Sequence, residues 1–125
     1  MHKPPYRHFL LPLLLLAVLA ACTDGDGRLM RQQLERLEKM NQADSVMTND
    51  TLAERLVKYF DRHGTPNERM RAHYILGRTY ADMGEAPQAL EEYHTAIECA
   101  DTTANDSNYH LLTRIHAQSV SLFYE

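Results

Sequence analysis

The chain has no tryptophan, two cysteines, five glycines and five prolines in 125 residues. Two cysteines cannot form a disulfide scaffold or a four-thiolate zinc site. Few glycines and prolines leave room for long uninterrupted elements. No stretch alternates apolar and polar residues over a strand's length, so nothing argues for a sheet. No dense run of Lys and Arg occurs, which removes the electrostatic footprint of a nucleic-acid binder. No phosphate-cradling glycine loop, dinucleotide fingerprint or nucleophile motif is present, and the sequence is read as non-enzymatic, with no cofactor. What is present is Ala, Leu, Glu, Arg and Gln, a helix-forming composition.

The longest apolar run, Phe9 to Ala21 (FLLPLLLLAVLAA), covers 13 residues. A bilayer-spanning helix takes roughly 20. Preceded by the basic stretch MHKPPYRH and ended by small residues, the run reads as a signal peptide, residues 1–21. Its end, Leu19-Ala20-Ala21-Cys22, resembles the bacterial lipobox, and the resemblance implies that Cys22 is acylated and becomes the new N-terminus. The alternative is an ordinary secretory signal with Cys22 incidental. Thr23 to Gly27 (TDGDG) completes a flexible tether over 22–27. Without Lys3 and Arg7, the remaining 11 Lys and Arg face 17 Asp and Glu, a net charge of about −6.

Beyond the tether the reading is all-α. Leu29/Met30, Leu34, Leu37, Met40, Ala43 and Val46/Met47 make one helical stripe over 28–47. Thr51 and Glu54 have capping-box spacing and open a second helix, buried through Leu52, Leu56, Val57 and Phe60. His63 suits that helix's negative end, and Gly64 a left-handed C-cap. Thr65-Pro66-Asn67-Glu68 is a second capping box, opening a helix to Met83 with Gly84 as its stop. A fourth helix begins near Glu85-Ala86-Pro87 and runs to about Ala100. Asp101 to Asn108 reads as a turn, and Tyr109 to Tyr124 as a last amphipathic helix.

Residues 70–101 (MRAHYILGRTYADMGEAPQALEEYHTAIECAD) resemble a tetratricopeptide repeat (TPR), a helix–turn–helix unit of roughly 34 residues. Seven positions match: Leu76, Gly77, Tyr80, Gly84, Ala89, Tyr93 and Ala96. Gly77 and Ala89 would allow close helix approach, Tyr80 and Tyr93 would fill the space between the helices, and Gly84 would supply a positive φ. Two positions depart from the pattern. His73 stands where a large aromatic belongs, and Asp101 replaces a proline. One repeat length upstream (about 34 residues) only Tyr59 falls on the pattern.

The resemblance implies antiparallel helix pairs stacked as a short α-solenoid. Residues 28–64 would be a degenerate or capping pair, 65–104 the repeat, and 105–125 the first helix of an incomplete repeat or a cap. The runs Tyr59 to Gly64, Asn67 to Met70 and Gly84 to Ala86 also look like the start of large TPR lipoproteins of Bacteroides-type bacteria. By that resemblance the expected function is a protein–protein adaptor, lipid-anchored to an envelope membrane through Cys22. The alternative is a truncated sensor region of a larger envelope signalling protein.

Arg71, Tyr74, Arg78 and Asp82 fall on one face of the repeat's first helix, away from Gly77 and Tyr80. By resemblance this face lines a groove, and two guanidinium groups beside a tyrosine suit an acidic or carboxylate-bearing peptide. The competing reading is a solvated face with ordinary ion pairs. Of seven histidines, His2 and His8 leave with the signal, and His110 and His116 do not share a helical face. His73 and His94 could approach one another across the helix pair but lack ligand spacing with an acid or thiol, so no metal is expected. Glu91, Glu92 and Glu98 read as solvated surface, and Cys99 as a small packing residue.

Overall fold

The computed structural model describes residues 7–101 and 107–124. Residues 1–6 of the basic stretch 1–8 and most of the expected turn at 101–108 lie outside them. Among the described residues there are five α-helices and no strand: α1 (Arg7–Gln42), α2 (Asp50–His63), α3 (Pro66–Asp82), α4 (Ala86–Cys99) and α5 (Ser107–Leu122). The chain divides into two compact units, residues 1–32 and 33–125.

In the first unit α1 begins at Arg7 and runs on through 22–27, where a flexible tether was expected. Gly25 and Gly27 each cost about 1 kcal/mol of helix propensity. Six residues between two helix-forming runs extend existing helix, however, and need no new nucleation. Among the described residues, no helix is long and apolar enough to cross a membrane.

In the second unit α1 ends at Gln42, short of the expected 47. Asp44 takes a positive φ of 53°. Around it the Ser45 N–H reaches the Met40 carbonyl at 3.0 Å and the Asp44 N–H reaches Asn41 at 3.2 Å. This is a Schellman stop with aspartate at the left-handed position. Beyond it Asp82 Oδ2 accepts the Met47 N–H at 2.8 Å, giving the connector its own anchor. Met47 is therefore buried although it lies outside the helix.

The cap of α2 is Asn49, whose side chain accepts the Leu52 N–H, and not Thr51. Asn49 is a stronger N-cap type, and helix started there takes Thr51 into its first turn. Gly64 caps the other end with an extended backbone at φ −87°, not a left-handed one, and its N–H bonds to the Phe60 carbonyl. Pro66 follows two residues later, and the chain leaves extended to enter the next cap. Both bonds of the Thr65/Glu68 capping box are present. Gly84, at φ 80°, ends the next helix in a second Schellman stop, with Glu85 N–H on the Tyr80 carbonyl and Gly84 N–H on Ala81.

Three cross-helix relationships fix the packing. Asp61 meets His73 while Glu54 meets Tyr80, so one index falls as the other rises and α2 runs antiparallel to α3. By the same test, His73–Glu92 and Gly77–Ala89 make α3 and α4 antiparallel. Glu38–Arg71 and Asn41–Tyr74 instead keep a constant offset of 33, so the end of α1 runs parallel to α3. Helix α5 packs on α4 and touches α3. The core collects Leu34 and Leu37 of α1, then Ala53, Leu56 and Phe60 of α2. To these α3 adds Met70, Ile75 and Leu76, α4 adds Ala89, Tyr93 and Ala96, and α5 adds Ile115. Spacings of three and four place the α1, α2 and α4 sets each on one helical face, whereas α3, packed on both sides, is buried around more of its circumference.

Candidate functional site: a polar cleft over α3

Helix α3 sets Arg71, Tyr74, Arg78 and Asp82 in a row running to its last residue, and the structure brings all four to one face. None stands clear of the protein. The Arg71 guanidinium grips Glu38 of α1 with two parallel bonds, Nε to Oε1 at 2.6 Å and Nη2 to Oε2 at 2.7 Å. Its pKa is raised above the ordinary arginine value, chiefly by that hydrogen-bonded pairing with Glu38, against the opposing effect of burial. The Tyr74 ring is buried, and its hydroxyl accepts a bond from Asn41 Nδ2 at 3.3 Å. Arg78 donates through Nε to Asn41 Oδ1 at 3.0 Å and through Nη2 to Asp82 Oδ1 at 3.1 Å. Asp82 spends its other oxygen on Met47. The row is first of all the seam that fastens α3 to the end of α1.

Above that seam lies a cleft of about 340 Å³ lined by Asn41, Gln42, Asp44, Tyr74, Arg78, Arg114 and Gln118. A smaller lobe of about 160 Å³ extends over Arg71, Glu38 and Leu111. Two lining groups were not legible as site residues in the sequence, because both come from α5. Arg114 is exposed and has no acceptor within bonding distance among the described residues. Gln118 Oε1 is buried with no hydrogen-bond partner. An exposed cation and a buried acceptor lacking a donor are the open valences of this cleft. Arg78 and Tyr74 contribute a polar floor that is already partly spoken for.

The repeat-packing positions are placed as follows. Leu76, Gly77, Ala89, Tyr93 and Ala96 are all buried. Tyr93 lies in the α3–α4 space, with its ring against Gly77 and its centroid 6.0 Å from that of Tyr74. Tyr80 is not between these helices. It is half-buried and bonds Glu54 of α2 at 2.7 Å, a contact that first and foremost pushes its pKa up to about 12. Gly77 and Ala89 leave no room for a second ring there.

The expectation of a solvated Glu92 is corrected. His73 is buried, its Nδ1 lies 2.6 Å from Glu92 Oε2 of α4, and its Nε2 lies 2.8 Å from Asp61 Oδ1 of α2. The carboxylates face opposite edges of the ring, so no single point is within reach of all three groups as metal ligands. His94 does not join them and pairs at the surface with Glu98 at 3.3 Å. Cys99 is half-buried, and burial pushes its thiol pKa up, away from nucleophilic reactivity. Cys22 falls within α1. No known protein family, curated protein sequence or solved structure matches the chain.

Proposed function

We propose that this chain is a TPR-type adaptor, held to a bacterial envelope membrane by a lipid on Cys22, whose cleft over α3 receives an acidic peptide. The observation that carries the repeat reading is the parallel register of α1 and α3 at an offset of 33 residues. Stacked helix pairs of roughly 34 residues place their first helices side by side at that interval. The two Schellman stops at Asp44 and Gly84 end those two helices alike. The cleft lies where first helices α1, α3 and α5 converge, and Arg114 supplies it with an uncommitted guanidinium. A carboxylate fits that group with two parallel bonds.

The test of the cleft uses a fluorescein-labelled peptide of Glu, Gly and Ser against its Lys-for-Glu counterpart, titrated into the full chain in detergent. The acidic peptide should bind and the basic one should not, with affinity falling as salt rises. Arg114→Gln should weaken binding at least several-fold, while Arg36→Gln, on an exposed face outside the cleft, should not. Equal binding of the two peptides, or indifference to Arg114→Gln, would remove the cleft from the reading. The anchor is tested separately by labelled palmitate, whose incorporation should vanish in Cys22→Ser.

A further inference from the structure

The position of His73 is chemically unusual. It is one of three polar or charged residues buried among the described ones, and it alone touches two carboxylates. It sits mid-way along α3, and the two acids come from the helices on either side, Asp61 from the last turn of α2 and Glu92 from the middle of α4. The three side chains are the polar crossing-point of the α2–α3–α4 packing.

The chemistry of the contact dictates a protonation state. An ionised carboxylate has no hydrogen to donate, so each ring nitrogen facing one must itself carry a proton. A neutral imidazole has one N–H and would set a nitrogen lone pair against a carboxylate oxygen at 2.6 or 2.8 Å. Only the imidazolium satisfies both distances, and it does so with two charge-assisted bonds. Other ionisable groups share the field of these acids: Cys99 of α4, with Arg69 and Glu98 beside it, and the Tyr80 hydroxyl of α3, which feels Glu92 and Glu54. Arg69 adds positive charge near Cys99, where Asp61 and Glu92 are also felt. Burial opposes the charged ring, and the bonds to Glu92 and Asp61 outweigh it, so the His73 pKa is raised above the usual histidine value.

We propose that His73 is a pH-operated clamp: doubly protonated it joins α2 to α4 through Asp61 and Glu92, and loss of one ring proton to solvent releases the α2 end first. The order of release follows from the two acids. The Glu92 side chain is 21% exposed and its contact is the shorter; the Asp61 side chain is 46% exposed. When one N–H is lost, the carboxylate that water can rehydrate is the one that gives way. The remaining N–H stays on Glu92, which keeps α3 and α4 joined. The sign follows from the raised pKa. The clamp's contribution to stability is complete below the unfolded-state histidine value and is lost as pH rises through the higher folded-state value. This inference does not depend on the adaptor reading.

The experiment is ¹⁵N imidazole and amide NMR on the full chain in detergent micelles across pH 5 to 9. Both ring nitrogens of His73 should be protonated at pH 6, below the ordinary histidine value. On the alkaline side of its titration, amide exchange over Asp61 to Gly64, corrected for the intrinsic pH dependence, should rise several-fold while exchange in α4 does not. A single-proton neutral tautomer at pH 6 overturns the proposal. So does unchanged exchange in the last turn of α2, or an increase that appears equally in α4. In Asp61→Asn the α2 exchange should already be fast at pH 6 and insensitive to the His73 titration. Retained pH-dependence in that variant would show that another group operates α2. If Asp61→Asn does not fold, the wild-type ring and exchange measurements decide alone.

Discussion

Gly77 lies so close under the ring of Tyr93 that a methyl group on its α-carbon would stand 2.5 Å from Cδ1 and Cε1. The next-nearest atom, the Ala89 carbonyl oxygen at 3.3 Å, belongs to backbone and does not yield. Gly77→Ala should therefore destabilise the fold by roughly 1–3 kcal/mol through overpacking, even though alanine is the better helix former by about 1 kcal/mol. Urea unfolding followed by circular dichroism measures it. Combining Gly77→Ala with Tyr93→Leu should cost less than the two changes summed, because the smaller side chain removes the clash.

The N-terminus of α2 offers a discriminating pair. Asn49→Ala removes the acceptor for the Leu52 N–H and should cost about 1 kcal/mol. Thr51→Ala, at the position that capping-box spacing favours, should change stability by no more than a few tenths of a kcal/mol, since Thr51 is exposed and already inside the helix. The reverse order of effects would mean that the helix begins at Thr51 after all.

Asp44 holds a left-handed backbone that glycine adopts without a steric cost. Asp44→Gly should preserve the Schellman bonds and raise stability by roughly 0.5–1 kcal/mol. It also takes an acid out of the cleft lining, so the acidic peptide should bind more tightly to this variant. Thermal unfolding and the fluorescence titration read the two effects separately.

Alkali provides another probe. Burial raises the Tyr93 phenol to about 12, although the charge of Arg78 pulls the other way. Its hydroxyl has no partner in bonding geometry. A folded-state value above the ordinary 10 means that the unfolded chain gives up this proton first. The group's stabilising contribution is thus intact below pH 10 and is lost between about pH 10 and 12. Tyr93→Phe should leave neutral-pH stability unchanged or raised, because no hydrogen bond is lost with the hydroxyl. It should also flatten the alkaline fall, as urea midpoints at pH 8 and 11 would record.

Much of the architecture was legible from local rules. The all-helical class followed from periodicity, and the Thr65/Glu68 box and the Gly84 stop followed from residue types whose chemistry acts within four positions. The misread boundaries have the same physical origin as one another. Asp44 ends α1 at a point where no glycine marks a stop, and Asn49 outcompetes the better-spaced Thr51. The candidate site was half legible. The row from Arg71 to Asp82 was correctly placed on one face, because that needs only helical geometry. Its partners Glu38, Asn41 and Met47 are more than thirty residues away and leave no local trace. Glu92 read as solvated for the same reason: a surface acid and an acid turned toward a buried histidine look alike along the chain. His73 itself was the visible clue, since a departure from an aromatic position inside a core asks for a polar partner.

The Glu38–Arg71 pair has one further consequence. Sliding α1 along α3 by a single helical turn, about 5.4 Å, would break both bonds of the pair and set Leu34 or Gln42, neither of them an acid, opposite Arg71. Two smooth, leucine-faced helices would have several stacking positions of similar energy, whereas this pair tolerates one. It acts as a key in a lock, and its value lies less in how tightly the helices are held than in how few ways they are able to be assembled.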